Sequence, residues 1–272
     1  MVFFGAGDLV YKRAAMAGIG ARHFIMLQAW FFCPLVTLYA LARHQLTLTP
    51  AAWWGALAGV IMFFAFYNFS RSLRTGSIST NAPIFRLSFT LTAALAIWLL
   101  HEPLTTIKLT GLSLALVAVL TLAGEAETAP RGEVKYGSLV QVRLATVAAG
   151  IGNLTYKVGL LHGSNPETLL SAQAWVFCTL ATAFAWLGER RINPPTAGYR
   201  YGALAAAVLL TAFILLLNGL SVGPASVLIP VAQLGFVFTA VLGRVLFGET
   251  LSWRKRCGLV IAATAMLTLA FA

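Results

Sequence analysis

Three polar side chains near residue 10 have a spacing that a helix would bring together. Asp8, Tyr11 and Lys12 lie three and four residues apart within an apolar segment, so a helix carries all three on one face. A charged side chain inside hydrocarbon costs about 2.5–3.5 kcal/mol and therefore needs a partner or a water-filled cavity. Asp8 is the one acidic residue placed well inside an apolar segment. This face could bind a charged molecule or exchange a proton.

The face formed by Asp8, Tyr11 and Lys12 has two interpretations. In the functional one, Asp8 exchanges a proton or binds a cation, while Lys12 contacts an anionic or zwitterionic molecule in a cavity. In the structural one, Asp8 and Lys12 form an ion pair one helical turn apart, or the lysine extends to the nearest membrane surface. The residue types alone leave both interpretations open.

The same face recurs in the second half of the chain. Asn153, Tyr156 and Lys157 repeat the spacing of the first set, with an amide in place of the carboxylate. A polar face that occurs twice in apolar surroundings favours a site built from two related parts. All six residues therefore belong to the candidate site.

Four more polar residues lie inside other apolar segments. Arg86 carries a rigid fork of donors that suits a carboxylate or phosphate, although it can equally pair with Asp8. Gln233 occupies the corresponding place in the second half. Gln28 and Gln173 each precede an Ala-Trp pair, and their amides can contact a bound molecule or join two helices. We add these four residues to the candidate site.

Motifs for catalysis and metal binding are missing from the sequence. It contains no HExxH, no GxSxG and no phosphate-binding glycine loop, and its three cysteines show no metal-binding spacing. We therefore expect no enzymatic activity, no cofactor and no metal. Glu102 and Glu249 precede apolar segments, and we expect each to cap the helix that follows it.

The composition indicates that these residues lie in a membrane. Of 272 residues, 59% are hydrophobic and 10% are charged, and the mean hydropathy is +0.83. An average soluble domain contains about 25% charged residues. The net charge of +11 comes from basic residues scattered over short polar segments. We therefore expect these residues to contact anionic lipid head groups and not nucleic acid.

Ten apolar segments come close to the roughly 20 residues that a membrane-spanning helix needs. They lie at 2–20, 24–42, 51–72, 78–100, 106–124, 138–160, 167–188, 200–221, 225–247 and 253–271. A polar stretch separates the first five from the last five. We predict an all-α integral membrane fold with one five-helix unit at 1–124, a linker at 125–137 and a second five-helix unit at 138–272.

The two units repeat each other. Gly5-Ala-Gly-Asp-Leu-Val-Tyr-Lys12 corresponds to Gly150-Ile-Gly-Asn-Leu-Thr-Tyr-Lys157 at an offset of 145 residues. Beyond the second connection the offset is 147 residues; residues at these offsets are called repeat mates below. Five helices per unit is an odd number, so the second unit enters the membrane upside down. This predicts inverted repeats about a twofold axis in the membrane plane, with a site between them near mid-membrane.

Three further stretches carry a family resemblance. They are Arg71–Ser88, Leu100–Gly111 and Phe247–Gly258, the last two of which contain a Glu followed nine residues later by a Gly. Together they resemble the EamA family of the drug/metabolite transporter superfamily, although His101 stands where that family usually has glycine. The resemblance implies a ten-helix exporter or exchanger of small metabolites.

The orientation of the termini has two conflicting indications. The connections that follow odd-numbered helices hold most of the basic residues, whereas those on the opposite side hold Arg43 and Lys108. The positive-inside rule therefore places both termini outside the cell. The EamA resemblance implies that both are cytoplasmic. The orientation stays open, and we take the family's orientation as the working prediction.

The residues and the resemblance together predict a secondary transporter of a small polar or amphipathic metabolite, with a central cavity between the repeats. Its expected partners are that small-molecule substrate, the lipid bilayer and, through Asp8, protons. We expect a monomer or homodimer in a bacterial plasma (inner) membrane. The alternatives are a flippase for a lipid-linked substrate, which predicts a lateral opening between helices, and a membrane scaffold without transport.

Overall fold

The described secondary structure is entirely α-helical. A computed structural model describes residues 2–47, 49–75, 78–123, 136–189, 194–235, 238 and 253–272. Its helices are α1 (Val2–Met16), α2 (Ala21–Ala42), α3 (Ala52–Thr75), α4 (Ile78–Arg86), α5 (Ser88–Leu99), α6 (Thr106–Ala123), α7 (Tyr136–Leu161), α8 (Pro166–Glu189), α9 (Thr196–Val222), α10 (Ala225–Gln233) and α11 (Trp253–Ala270).

These helices form the predicted all-α membrane fold of ten spans in two inverted five-helix repeats. Within the described residues, five helices are long and apolar enough to cross a membrane, namely α2, α3, α7, α8 and α9. Shorter apolar helices cover Ile84–Leu99, Thr106–Thr121 and Arg256–Ala270. Most of the predicted linker at 125–137, the ninth segment beyond residue 235 apart from residue 238, and Glu249 lie outside the described residues.

The fourth and ninth spans are interrupted near their prolines. The fourth breaks at Leu87 into α4 and α5, four residues after Pro83. In the ninth, α10 contains Pro230 and ends at Gln233. A proline removes one N–H from the helical ladder, so the helix is weakened just where each break occurs. As a result Arg86 and Gln233, which are repeat mates, are the last residues of their helices.

The two repeats pack mainly against each other. Helix α3 packs on α7 and α8, and its counterpart α9 packs on α1 and α2. Glycines allow this close approach: a Cβ at Gly55 would come 2.9 Å from the Cβ of Ala172. A Cβ at Gly202, the mate of Gly55, would come 2.9 Å from the Cβ of Leu27, the mate of Ala172. Small residues at such crossings are typical of helix packing in membranes.

Several repeat mates touch each other and therefore lie on the twofold axis. Nη1 of Arg86 lies 2.6 Å from Oε1 of Gln233. The rings of Phe66 and Phe213 have centroids 6.3 Å apart in an edge-to-face arrangement. The thiols of Cys33 and Cys178 lie close together between α2 and α8. These three contacts trace the axis from the centre of the protein to the α2–α8 crossing.

Two histidines hold a backbone conformation that favours glycine. His44 follows α2 with φ 53° and His101 follows α5 with φ 54°. In this left-handed region a side chain crowds its own backbone, which is why glycine commonly ends helices there. The positive φ at His101 therefore explains why the EamA resemblance implies a glycine at this position.

Candidate functional site

A small cavity lies on the axis between the repeats. Residues of α1, α3, α4, α7, α9 and α10 line it, and most of them are apolar or aromatic. Its polar lining consists of five of the predicted site residues, which are Asp8, Tyr11, Arg86, Asn153 and Gln233. The structure therefore brings together residues from both repeats that are separated by up to 225 positions in the chain.

The centre of this cavity is an ion pair between α1 and α4. Nη2 of Arg86 donates to the Asp8 carboxylate, and Nη1 donates to Oε1 of Gln233 on α10. Arg86 is only 3% exposed, so its charge is held within the protein. Of the two partners that the sequence left open for Asp8, the structure gives Arg86 and not Lys12. The break after α4 lets one side chain join three helices.

Two buried donors in the cavity have no acceptor within the described residues. They are Nε of Arg86 and Nδ2 of Asn153, and Asn153 is 4% exposed. A buried N–H without a partner costs about 1–3 kcal/mol, so such groups are rare and call for an explanation such as a bound water, ion or ligand. Both groups are donors and both belong to the cavity lining. Either donor could bond to an acceptor on a water molecule or on a bound molecule.

The charges of Asp8 and Arg86 cancel, which restricts how an acceptor can bind. An anionic ligand on Arg86 would leave one negative charge in excess in a desolvated site, and buried charges are stable only when balanced. Balance is restored if the ligand also carries a cation or if Asp8 takes up a proton. The geometry thus links binding at Arg86 to the state of Asp8.

A second small cavity lies beside the first. Four pairs of repeat mates line it, namely Gln28 and Gln173, Ala29 and Ala174, Phe32 and Phe177, and Phe66 and Phe213. Phe66 and Phe213 also line the first cavity, so their ring pair is the partition between the two. We call the first space the head chamber and the second the tail chamber.

The glutamines of the tail chamber are bonded to the tyrosines of the candidate site. The hydroxyl of Tyr11 donates to Oε1 of Gln28, and that of Tyr156 donates to Oε1 of Gln173 over 2.9 Å. These two bonds are repeat mates of each other. Tyr11 also lines the head chamber, whereas the fully buried Tyr156 lines neither chamber.

The two lysines of the candidate site lie away from both chambers. Nζ of Lys157 donates to the carbonyl oxygens of Leu220 and Gly223, each over 2.8 Å, and so holds the end of α9. Lys12, its repeat mate, is likewise not among the residues that line either chamber. A cation at a helix C-terminus is stabilising because the last carbonyls carry partial negative charge. That Lys12 and Lys157 contact a bound molecule stays a prediction.

The predicted capping role of Glu102 is assigned to the wrong helix. Its carboxylate accepts from the backbone N–H groups of Ala225 and Ser226, over 2.8 and 2.9 Å. It therefore caps α10 of the other repeat and not α6, which begins at Thr106. Sequence order suggested the following helix, but the inverted packing places the start of α10 next to Glu102.

The two residues of the aromatic partition are not among the site residues predicted from the sequence. Phe66 and Phe213 were passed over because phenylalanine is common in apolar segments and carries no chemistry of its own. Their relation as repeat mates at the offset of 147 residues was the available signal. Matching bulky residues across the repeats would have found them.

Comparisons with known proteins agree with this architecture. The EamA-like transporter family matches the chain over residues 1–124 and 138–271. A protein of known crystal structure superimposes with a TM-score of 0.77 over 98% of this chain and 96% of its own, at 13% sequence identity. At that identity the likeness concerns the fold alone. No curated protein matches the sequence.

Proposed function

Because the chain belongs to the EamA-like transporter family, we propose that it is a secondary transporter for a small amphipathic molecule whose head group is anionic or zwitterionic. It is an integral, multi-pass membrane protein of a transporter family, and the proposal concerns what it carries and how. We further propose that it works in a bacterial inner membrane, as an exporter or exchanger, as a monomer or homodimer.

The observation that carries the proposal is the pair of unpartnered donors in the head chamber. Nε of Arg86 and Nδ2 of Asn153 are buried, line the same cavity and belong to opposite repeats. A carboxylate has two oxygens, and we propose that one oxygen accepts from each donor. A substrate that bridges them would also hold the repeats together, which is how binding can favour an occluded state.

Asp8 gives this site a means of coupling to protons. When the substrate carboxylate binds Nε of Arg86, it shares the charge of the guanidinium with Asp8, which is bonded to Nη2. Asp8 then either takes up a proton or accepts the ammonium group of a zwitterion, because a second unbalanced anion is too costly in this environment. Asp8 would take up a proton when the substrate binds and release it when the substrate leaves, which would couple the flux of substrate to the flux of protons.

The alternative of a lipid-linked substrate flippase needs a lateral opening between helices. At the α2–α8 crossing such an opening is closed by two hydrogen bonds that are repeat mates. Nε1 of Trp30 donates to Oγ1 of Thr182 over 2.8 Å, and Nε1 of Trp175 donates to Oγ1 of Thr37 over 3.0 Å. This crossing supports an enclosed cavity and a small soluble substrate.

The test is counterflow of labelled carboxylates and amino acids in proteoliposomes. We expect exchange by the wild type and its loss in Asn153→Ala and in the double variant Asp8→Asn/Arg86→Gln, which leaves no unpaired charge. Arg200→Gln and Asn218→Ala are matched controls, because both residues are exposed on α9, and should keep wild-type exchange. Equal exchange by Asn153→Ala and the wild type would refute the role of the donors.

A further inference from the structure

The tail chamber has no role in the binding of a head group. We propose that it is a second binding subsite, which holds the apolar tail of the substrate while the head group is bound at Arg86 and Asn153. This inference rests on the proposed function and specifies the substrate as a carboxylate or zwitterion with an alkyl or aryl tail. The partition formed by Phe66 and Phe213 would lie at the junction of head and tail.

The lining of the tail chamber selects an uncharged group. None of its described lining residues is charged, and four of the eight are phenylalanines. The carbonyl oxygens of Gln28 and Gln173 already accept from tyrosine hydroxyls, so they are engaged in bonds between helices. Aromatic walls stabilise alkyl chains and rings by burial and by edge contacts. A second charged group would find no oppositely charged side chain among these lining residues.

The position of the chamber on the twofold axis gives a reason for a tail to lie there. An inverted repeat produces its inward-facing and outward-facing states by exchanging the conformations of the two repeats, and this exchange leaves the axis in place. The eight lining residues form four pairs of repeat mates. When the two repeats exchange conformations, each lining residue therefore takes the place of its mate, and the lining as a whole stays the same. A tail held there can keep its contacts in both states.

The chamber also has an end that limits the length of the tail. The axis lies in the membrane plane, so the line from Arg86 through Phe66 to the Cys33–Cys178 contact runs towards lipid and not along the transport direction. The α2–α8 crossing closes this line. On the outer side of the crossing, Trp30 and Trp175 are 37% and 59% exposed. The tail chamber is therefore a blind pocket off the transport path.

A series of straight-chain carboxylates from propionate to decanoate tests the proposal, with affinity measured by calorimetry on the purified protein. Each added methylene buried in an apolar site raises the affinity by about fourfold. We expect this increment for the wild type until the chamber is full, after which affinity stops rising. Ala29→Leu/Ala174→Leu should stop the rise at a shorter chain. Ala207→Leu, on the exposed face of α9, is the control for added bulk.

A second variant guards against misfolding of the leucine pair. Phe32→Leu/Phe177→Leu enlarges the chamber and should move the limit to longer chains, whereas Phe184→Leu, which lines neither chamber, should not. The same limiting length in the wild type and in every folded chamber variant would overturn the tail subsite. Failure of the proposed function looks different: no carboxylate of any length would bind, or binding would survive Asp8→Asn/Arg86→Gln.

Discussion

The ion pair between Asp8 and Arg86 permits a prediction about the thermal stability of the protein. The corresponding residues of the second repeat provide a control. Replacing Arg86 with glutamine removes the cation that pairs with Asp8 and the donor to Gln233. The side chains of Arg86 and Asp8 are 4% and 16% exposed, so the carboxylate has little access to water. Arg86→Gln therefore leaves a buried, unpaired charge, which is the condition that destabilises a protein most.

The size of this effect follows from the burial. Removing one partner of a buried ion pair costs about 3–5 kcal/mol, whereas replacing both partners is often close to neutral. For a chain of this length, 1 kcal/mol corresponds to about 2–4 °C in Tm. We expect Arg86→Gln to lower the Tm by about 6–20 °C. The double variant Asp8→Asn/Arg86→Gln should recover most of that loss.

The twofold axis adds a third variant. Asn153 and Gln233 are the repeat mates of Asp8 and Arg86, so the fourfold exchange Asp8→Asn/Asn153→Asp/Arg86→Gln/Gln233→Arg moves the ion pair to the symmetric position. The pseudosymmetry predicts that this variant forms a pair between α7 and α10 and has nearly the wild-type Tm. Asn153→Asp/Gln233→Arg in the wild-type background would instead crowd two pairs into one cavity.

The assay is thermal unfolding of detergent-purified protein, followed by tryptophan fluorescence, together with size-exclusion chromatography to show that each variant is monodisperse. The reasoning is refuted if Arg86→Gln unfolds within about 2 °C of the wild type, because a buried unpaired carboxylate could not cost so little. It is also refuted if Asp8→Asn/Arg86→Gln unfolds no higher than Arg86→Gln alone.

Three further predictions concern other parts of the fold. His101→Gly should stabilise the protein by about 1 kcal/mol, because φ at this position is 54°, and an unchanged or lower Tm would contradict that reason. Mild oxidation should join Cys33 to Cys178 by a disulfide. After cleavage at a protease site inserted into 125–137, the two halves should then stay linked on a non-reducing gel, and Cys33→Ser should abolish the link. Absence of the link in the wild type would argue against contact between the two cysteines on the axis. Lys157→Ala should lower the free energy of unfolding by about 1.5–3 kcal/mol, because the two bonds to the end of α9 are lost. Lys157→Arg should keep most of the wild-type stability. No change of stability in either variant would mean that the two bonds contribute little.

Hydropathy and the repeat register were sufficient to predict the fold. Each apolar segment is long enough to span, and the register of Gly55 with Gly202 requires two copies of the same unit. The interruptions of the fourth and ninth spans could be anticipated only in part. Pro83 and Pro230 indicate where the ladder is weak, but where each helix ends depends on packing against the opposite repeat.

The contacts between repeats were much harder to predict. Asp8 and Arg86 are 78 positions apart, and the sequence offered Lys12 as a nearer partner. Glu102 was assigned to the following helix because nothing in local sequence shows which helix end lies beside it. Within the second repeat, helical spacing placed Lys157 on the polar face of α7, but it could not show that the ammonium group bonds to the end of α9.

The most direct test of the account is uptake of a labelled carboxylate into proteoliposomes under an imposed pH gradient, with downhill exchange measured in the same vesicles. We predict that the wild type concentrates the carboxylate and that Asp8→Asn retains measurable exchange but cannot concentrate it. Asp8→Asn/Arg86→Gln should do neither, although it folds. Concentrative uptake by Asp8→Asn would show that coupling lies elsewhere, and wild-type exchange by the double variant would contradict the central claim that the substrate binds at Arg86.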